Sequence, residues 1–136
     1  METKALSDVT KEDRLKMIEG LMLFSQVQAH LQKEYGFDFW KKPMAERKHW
    51  VAEQMMAMIS EIGETWEITN KWWKKNAPDF EDAEARKKIV EELVDMYHFF
   101  LSLMLTLQIT PEEFVSVYLE KMGVNIKRQE TNYSYK

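Results

Sequence analysis

Apolar residues recur every three or four positions along several long segments, which is the spacing of one face of an α-helix. The first predicted helix runs from about Thr10 to Tyr35, and Gly36 suits the position just past its end. The second begins at Pro43 and continues to a stop at Lys74–Asn76, where Asn-Ala-Pro interrupts the pattern. The third covers about Phe80 to Gln108.

An N-terminal signature predicts a fourth helix: Thr110 as the cap, followed by Pro111 and then Glu113. It runs from Pro111 to about Met122, and a continuation to Gln129 stays open. No alternating strand pattern competes with these segments. The sequence therefore predicts an all-α fold, a bundle of four to five helices.

Composition narrows the class of protein. The 136 residues, 45% of them hydrophobic, are enough for one core, so a single domain over residues 1–136 is expected. The absence of cysteine excludes thiolate metal sites and cysteine nucleophiles. The net charge of −4 argues against a nucleic-acid partner. A charged N-terminus and no membrane-length apolar run predict no membrane partner and a cytoplasmic location.

Two pairs of carboxylates carry the candidate chemistry. Glu61 and Glu64 are three residues apart on the second helix, and Glu92 and Asp95 are three apart on the third. Each pair continues an apolar stripe, where uncompensated charge is costly. A divalent cation is the usual compensation, and an all-oxygen ligand set suits Mg²⁺, with Mn²⁺ as a substitute.

The alternative is an ordinary solvated face. The chain has 23 acidic residues, so such spacings arise by chance. Glu64 could pair with Glu67 instead of Glu61, and Glu91 duplicates Glu92. Two pairs on consecutive helices, each within apolar sequence, favour the metal site. Gly63 costs helix stability and is expected to serve close packing beside the carboxylates.

Further polar and aromatic residues fall at helical spacings. His98 is three residues after Asp95, either as a metal ligand or as a hydrogen-bonding pocket residue. Lys121, Asn125 and Arg128 form one edge of a continued fourth helix, which suits phosphate oxygens but equally an ordinary solvated helix. Trp72 and Trp73 could stack a base or cap the bundle.

These motifs resemble the all-α dimeric dUTPases and the bacteriophage dCTPase–dUTPases, both within the MazG-like nucleoside triphosphate pyrophosphohydrolases. The resemblance covers about Gln28 to Tyr133. It is carried by Glu61-Ile62-Gly63-Glu64, by the run from Glu92 to Leu103, and by Lys121-x3-Asn125-x2-Arg128-Gln129-x3-Tyr133.

The resemblance implies Mg²⁺-dependent cleavage of a pyrimidine deoxynucleoside triphosphate, dUTP and also dCTP, to the monophosphate and pyrophosphate. It implies a catalytic metal site formed by Glu61, Glu64, Glu92 and Asp95. It places His98 and Phe99 in a nucleoside pocket, and it assigns the phosphates to Lys121, Asn125, Arg128 and Tyr133.

The resemblance assigns base recognition to the first helix. Gln28 stands where the family has a base-contacting Gln, and Gln32 stands where many dimeric dUTPases have Asn or Asp and phage dCTPase-like members have Gln. The two are four residues apart and share a helix face. A Gln amide can pivot to present a donor or an acceptor, so the pair is expected to serve uracil or cytosine.

Two other functions remain open: a MazG-like enzyme acting on purine or non-canonical nucleotides, and a non-enzymatic helical interaction protein. The expected partners are a small-molecule dNTP and further copies of the chain, as a homodimer or tetramer. The expected setting is the cytoplasm of a bacterium or a phage-infected host.

Overall fold

The computed structural model describes residues 1–71, 73–75 and 80–131. Its long helices are α1 (Lys11–Glu34), α2 (Met44–Thr69), α3 (Ala83–Leu107) and α4 (Pro111–Glu130), with short 3₁₀ turns at Leu6–Asp8 and Phe39–Lys41. No strand occurs among these residues, so the all-α prediction is confirmed. Within the same ranges no single helix is long and apolar enough to cross a membrane. Taken together, α3 and α4 have sufficient length and apolar composition, but the pair is sharply bent between them.

Local capping chemistry fixes several helix ends where the sequence predicts them. The Thr110 hydroxyl accepts a hydrogen bond from the Glu113 N–H at 3.1 Å. Thr10 caps α1 in the same way, through the Asp13 N–H at 3.1 Å. Gly36 follows α1 with φ of +78°, a conformation that glycine adopts without strain. α4 continues through Glu130, so the longer of its two predicted extents is correct.

Two predicted boundaries are wrong, because apolar periodicity does not mark where a helix is capped. α2 ends at Thr69 and does not reach Lys74, since Asn70 takes the C-cap position and its N–H bonds the Trp66 carbonyl. α3 begins at Ala83 and not at Phe80, because the Asp82 side chain caps it by accepting from the Ala85 N–H at 2.9 Å. The predicted Asn76-Ala77-Pro78 break lies outside the described residues, as does Trp72.

The chain divides into two compact units, and α1 contributes to both. The first unit contains Met1–Gln26 and the chain from Ile109 onward. In it the Leu6–Asp8 turn packs against α4, and Arg14 donates to the Ser116 hydroxyl at 3.0 Å. The second unit is Val27–Gln108. The prediction of one domain stays a prediction.

In the second unit α2 and α3 pack side by side in antiparallel register. Gln54 of α2 donates a hydrogen bond to the Thr106 hydroxyl of α3. Further along α2, an oxygen of Glu61 lies within 4.8 Å of one from Asp95, which is earlier on α3. Ascending numbers on α2 therefore face descending numbers on α3. Apolar and polar side chains share the buried part of this unit: Phe39, Ala85, Leu101, Met104, Gln32, Gln54, Ser102 and Thr106.

Candidate active site

Three carboxylates from the two paired helices form a compact cluster. Glu61 of α2 and Glu92 and Asp95 of α3 each offer an oxygen, and these oxygens all lie within 4.8 Å of one another. Glu61 and Glu92 are half-buried, and Asp95 is exposed. The fourth predicted ligand, Glu64, is not in this trio, but its carboxyl group interacts directly with that of Glu92. The antiparallel register thus unites two pairs that are about thirty residues apart in sequence.

The electrostatics of the cluster favour a bound cation. The pKa of Glu64 is raised, chiefly by the negative charge of Glu92. The pKa of Glu92 is raised by partial burial and then by its interaction with Glu61. Crowded carboxylates resist ionisation together unless a positive charge compensates them. An all-oxygen donor set of this kind fits Mg²⁺ or Mn²⁺.

The two acidic residues that offered alternative carboxylate pairs each lie beside a lysine. Glu67 forms an ion pair with Lys71, one turn further along the chain. Glu91 lies 3.8 Å from Lys87 and is exposed. Gly63 does not serve close packing against any described residue, because none of them lies within 4 Å of the position a Cβ would take. That expectation from the sequence is therefore wrong.

A cavity of about 390 Å³ opens in the same unit as the cluster. Its walls come from the end of α1, the Phe39–Lys41 turn, α2 and α3. Phe39 and Trp50 contribute a stacked aromatic pair with ring centroids 4.3 Å apart. Four residues predicted to bind substrate line it: Gln28, Gln32, His98 and Phe99. The volume is in the range of small-molecule sites.

The cavity and the carboxylates are neighbours on both helices. Ala57 lines the cavity, and Glu61 follows it by one turn of α2. Phe99 lines the cavity, and Asp95 precedes it by one turn of α3. His98 joins the two regions, since it is in the cavity wall and its Nδ1 lies 3.6 Å from an Asp95 oxygen. A ligand could place an apolar ring in the cavity and a charged group at the cluster.

Gln32 forms hydrogen bonds with three other residues of this unit. Its Nε2 donates to the Phe37 carbonyl at 3.0 Å and to the Ser102 hydroxyl at 2.9 Å. Its Oε1 accepts from Nε2 of Gln28 at 3.3 Å. Both ends of the amide are engaged, so Gln32 holds Gln28 and the wall of the cavity in place.

Sequence reasoning missed further polar residues of this region, Gln54, Ser102 and Thr106. Gln54 and Ser102 line the cavity, and Thr106 is fully buried behind them. Each lies on the apolar stripe of its helix. A polar residue on such a stripe is the signal that marks these three positions in the sequence.

The predicted phosphate-binding edge belongs to α4 in the first unit. Because α4 continues to Glu130, Lys121, Asn125 and Arg128 share one face of a continuous helix, and all three are exposed. Tyr133, assigned to the same role, lies outside the described residues.

Comparison with known proteins identifies the family. Residues 20–117 match the family model described as dUTPase, a match that covers well over half of the chain. The matched segment contains Gln28, His98, Phe99 and the four carboxylates, and it ends before Lys121. No curated protein and no solved structure matches the chain. The cluster and the adjoining cavity lie within the matched segment, and the match shows that the chain belongs to the all-α dUTPase family of nucleoside triphosphate hydrolases.

Proposed function

We propose that the protein is a Mg²⁺-dependent pyrophosphohydrolase that converts dUTP to dUMP and pyrophosphate, with dCTP as a second substrate. One observation carries the proposal: a cavity of nucleoside size lies one helical turn from a cluster of three carboxylates. This arrangement suits a molecule with a ring at one end and phosphates at the other. The family match supports dUTP as the substrate.

Glu61, Glu92 and Asp95 would hold the metal, with Glu64 beside them. When bound, Mg²⁺ supplies positive charge to the phosphate oxygens, which is the main requirement of phosphoryl transfer. Glu61, whose carboxylate lies in this cluster, would be placed to accept the proton of the attacking water. His98 and Phe99 pack against the nucleoside. The family resemblance assigns the phosphates to Lys121, Asn125 and Arg128 of α4 and to Tyr133, which lies outside the described residues.

Self-association belongs to the same proposal. Apolar side chains on α2 and α3 are half-exposed in the single chain: Ile59, Ile62, Trp66 and Leu93. Exposed apolar surface of this extent is typical of a protein–protein interface. A homodimer or a tetramer would cover it.

A pyrophosphate-release assay with all dNTPs and NTPs tests the function. We expect dUTP to give dUMP and pyrophosphate in equal amounts with Mg²⁺, and no release with EDTA. Preferential turnover of purine or non-canonical nucleotides would favour the MazG-like alternative. No release from any nucleotide, together with no effect of Mg²⁺ on melting, would favour a helical interaction protein.

Mg²⁺ should raise the melting temperature of the protein by about 10 °C at about 100 times its Kd. Binding to the native state at that concentration contributes about 2.7 kcal/mol, and a chain of this size gains about 4 °C per kcal/mol. Differential scanning fluorimetry checks the shift, with NaCl at equal ionic strength as the control for screening. A melting temperature that NaCl raises as much as MgCl₂ would contradict a specific site.

Arg128→Lys should lower kcat/KM for dUTP by about tenfold, because the planar guanidinium fork is lost while the charge remains. Lys127→Ala is the matched control, since Lys127 is exposed on the same turn of α4 but off the shared face. We expect this control to retain the parent kcat/KM. If Arg128→Lys matched it, Arg128 would belong to an ordinary solvated helix. Circular dichroism verifies that both variants are folded.

A further inference from the structure

We propose that Gln54 anchors the base: its Oε1 accepts a hydrogen bond from the N–H donor on the pairing edge of the pyrimidine. In uracil this donor is N3–H, and in cytosine it is the N4 amino group. A base with no donor on that edge is rejected. The inference rests on the proposed function, since it assigns a base-contacting residue in the same cavity.

Two neighbours fix the orientation of the Gln54 amide. Its Nε2 donates to the Trp50 carbonyl and to the Thr106 hydroxyl, both at 3.0 Å. The carbonyl can only accept. The Thr106 hydroxyl has used its proton on the Ser102 carbonyl at 2.8 Å, so toward Gln54 it also accepts. A flipped amide would place its oxygen against two acceptors, so the amino group must point to them.

The other end of the amide is left without a partner. Gln54 is 5% exposed and lines the cavity. Its Oε1 is buried and has no hydrogen-bond partner among the residues that the structure describes. Buried acceptors are normally satisfied, and an orphan of this kind calls for an explanation. A ligand that brings an N–H into the cavity supplies the missing donor.

The second buried glutamine of the wall shows the contrast. Gln32 is equally buried, but its Nε2 and its Oε1 are both engaged by protein groups. Gln32 therefore has a positioning role, whereas Gln54 keeps an acceptor for the ligand. Adenine and guanine also carry donors, so Gln54 does not itself exclude purines.

The first test uses the parent enzyme and varies only the base. The triphosphate of 2-pyrimidinone 2′-deoxyriboside has neither an N3–H nor an exocyclic amino group. Relative to dCTP it lacks only the amino group, and relative to dUTP it lacks the O4 acceptor as well as N3–H. We expect its kcat/KM to be at least about 100-fold below that of dUTP, because the buried acceptor stays unpaired. Equal turnover would overturn the role of Gln54 and leave the proposed function intact. No turnover of any pyrimidine dNTP would overturn both.

The second test varies the protein. Gln54→Met keeps the approximate volume but has no acceptor, so the 100-fold preference for dUTP over the 2-pyrimidinone nucleotide should shrink to within about threefold. Gln32→Met is the matched control, since it removes a buried amide whose oxygen is already filled. It should lower kcat/KM for both nucleotides by the same factor and keep the preference. A preference retained in Gln54→Met would overturn the proposal, and if that variant did not fold, the base series in the parent enzyme would decide.

Discussion

Asp95→Asn should lower kcat for dUTP hydrolysis by at least about a thousandfold while the protein stays folded. The substitution keeps the shape of the side chain but removes one of the three charges within 4.8 Å that would hold the metal. Loss of metal-derived charge stabilisation is worth several kcal/mol, and each 1.36 kcal/mol is about a factor of ten in rate. Pyrophosphate release measures the loss.

The same variant should melt no lower than the parent when Mg²⁺ is absent. Asp95 contributes to the raised pKa of both Glu64 and Glu92, so its charge opposes theirs in the folded protein. Removing that charge relieves repulsion and does not weaken the native state. A melting curve in EDTA checks this expectation and separates a catalytic defect from unfolding.

Glu91→Gln is the matched control for Asp95→Asn. It also removes one carboxylate charge from α3, but Glu91 is exposed and lies 3.8 Å from Lys87, outside the cluster. An exposed ion pair of this kind contributes little to folding stability. Because Glu91 also lies outside the cluster, kcat should stay within about twofold of the parent. If Asp95→Asn behaved like Glu91→Gln, the metal assignment would be refuted.

Selectivity for pyrimidines is the second large effect. We expect kcat/KM for dUTP to exceed that for dATP and dGTP by at least about a thousandfold. Hydrogen bonds from Gln32 to the Phe37 carbonyl and the Ser102 hydroxyl hold one wall of the cavity, so making room for a larger base would break them. A site that hydrogen-bonds its base rejects a mismatched one strongly, because buried polar groups are left unpaired.

Gln28→Ala tests which residue contributes to that selectivity. It should reduce kcat/KM for dUTP far more than for the poor purine substrates, because only the fitted base uses the amide. Gln26→Ala is the control, since Gln26 is exposed on the same helix and does not line the cavity. Equal turnover of purine and pyrimidine dNTPs by the parent enzyme would contradict the pyrimidine assignment and favour the MazG-like alternative.

The sequence by itself determined the features that depend on near neighbours in the chain. The apolar period predicted four helices, and the caps at Thr110 and Gly36 were found as predicted. The spacing of Glu61 with Glu64 and of Glu92 with Asp95 placed each pair on one helix face. All of these are interactions within about four residues, which local physical chemistry dictates.

Only the tertiary structure decided how those faces meet. The antiparallel register of α2 and α3 brings Glu61 within 4.8 Å of Glu92 and Asp95, and periodicity contains no information about register. The same holds for Gln54, whose orientation depends on Thr106, 52 residues away. A buried amide presents its donor or its acceptor according to the partners that packing places beside it. The sequence could therefore name the chemical groups, but the free acceptor of Gln54 exists only in the folded chain.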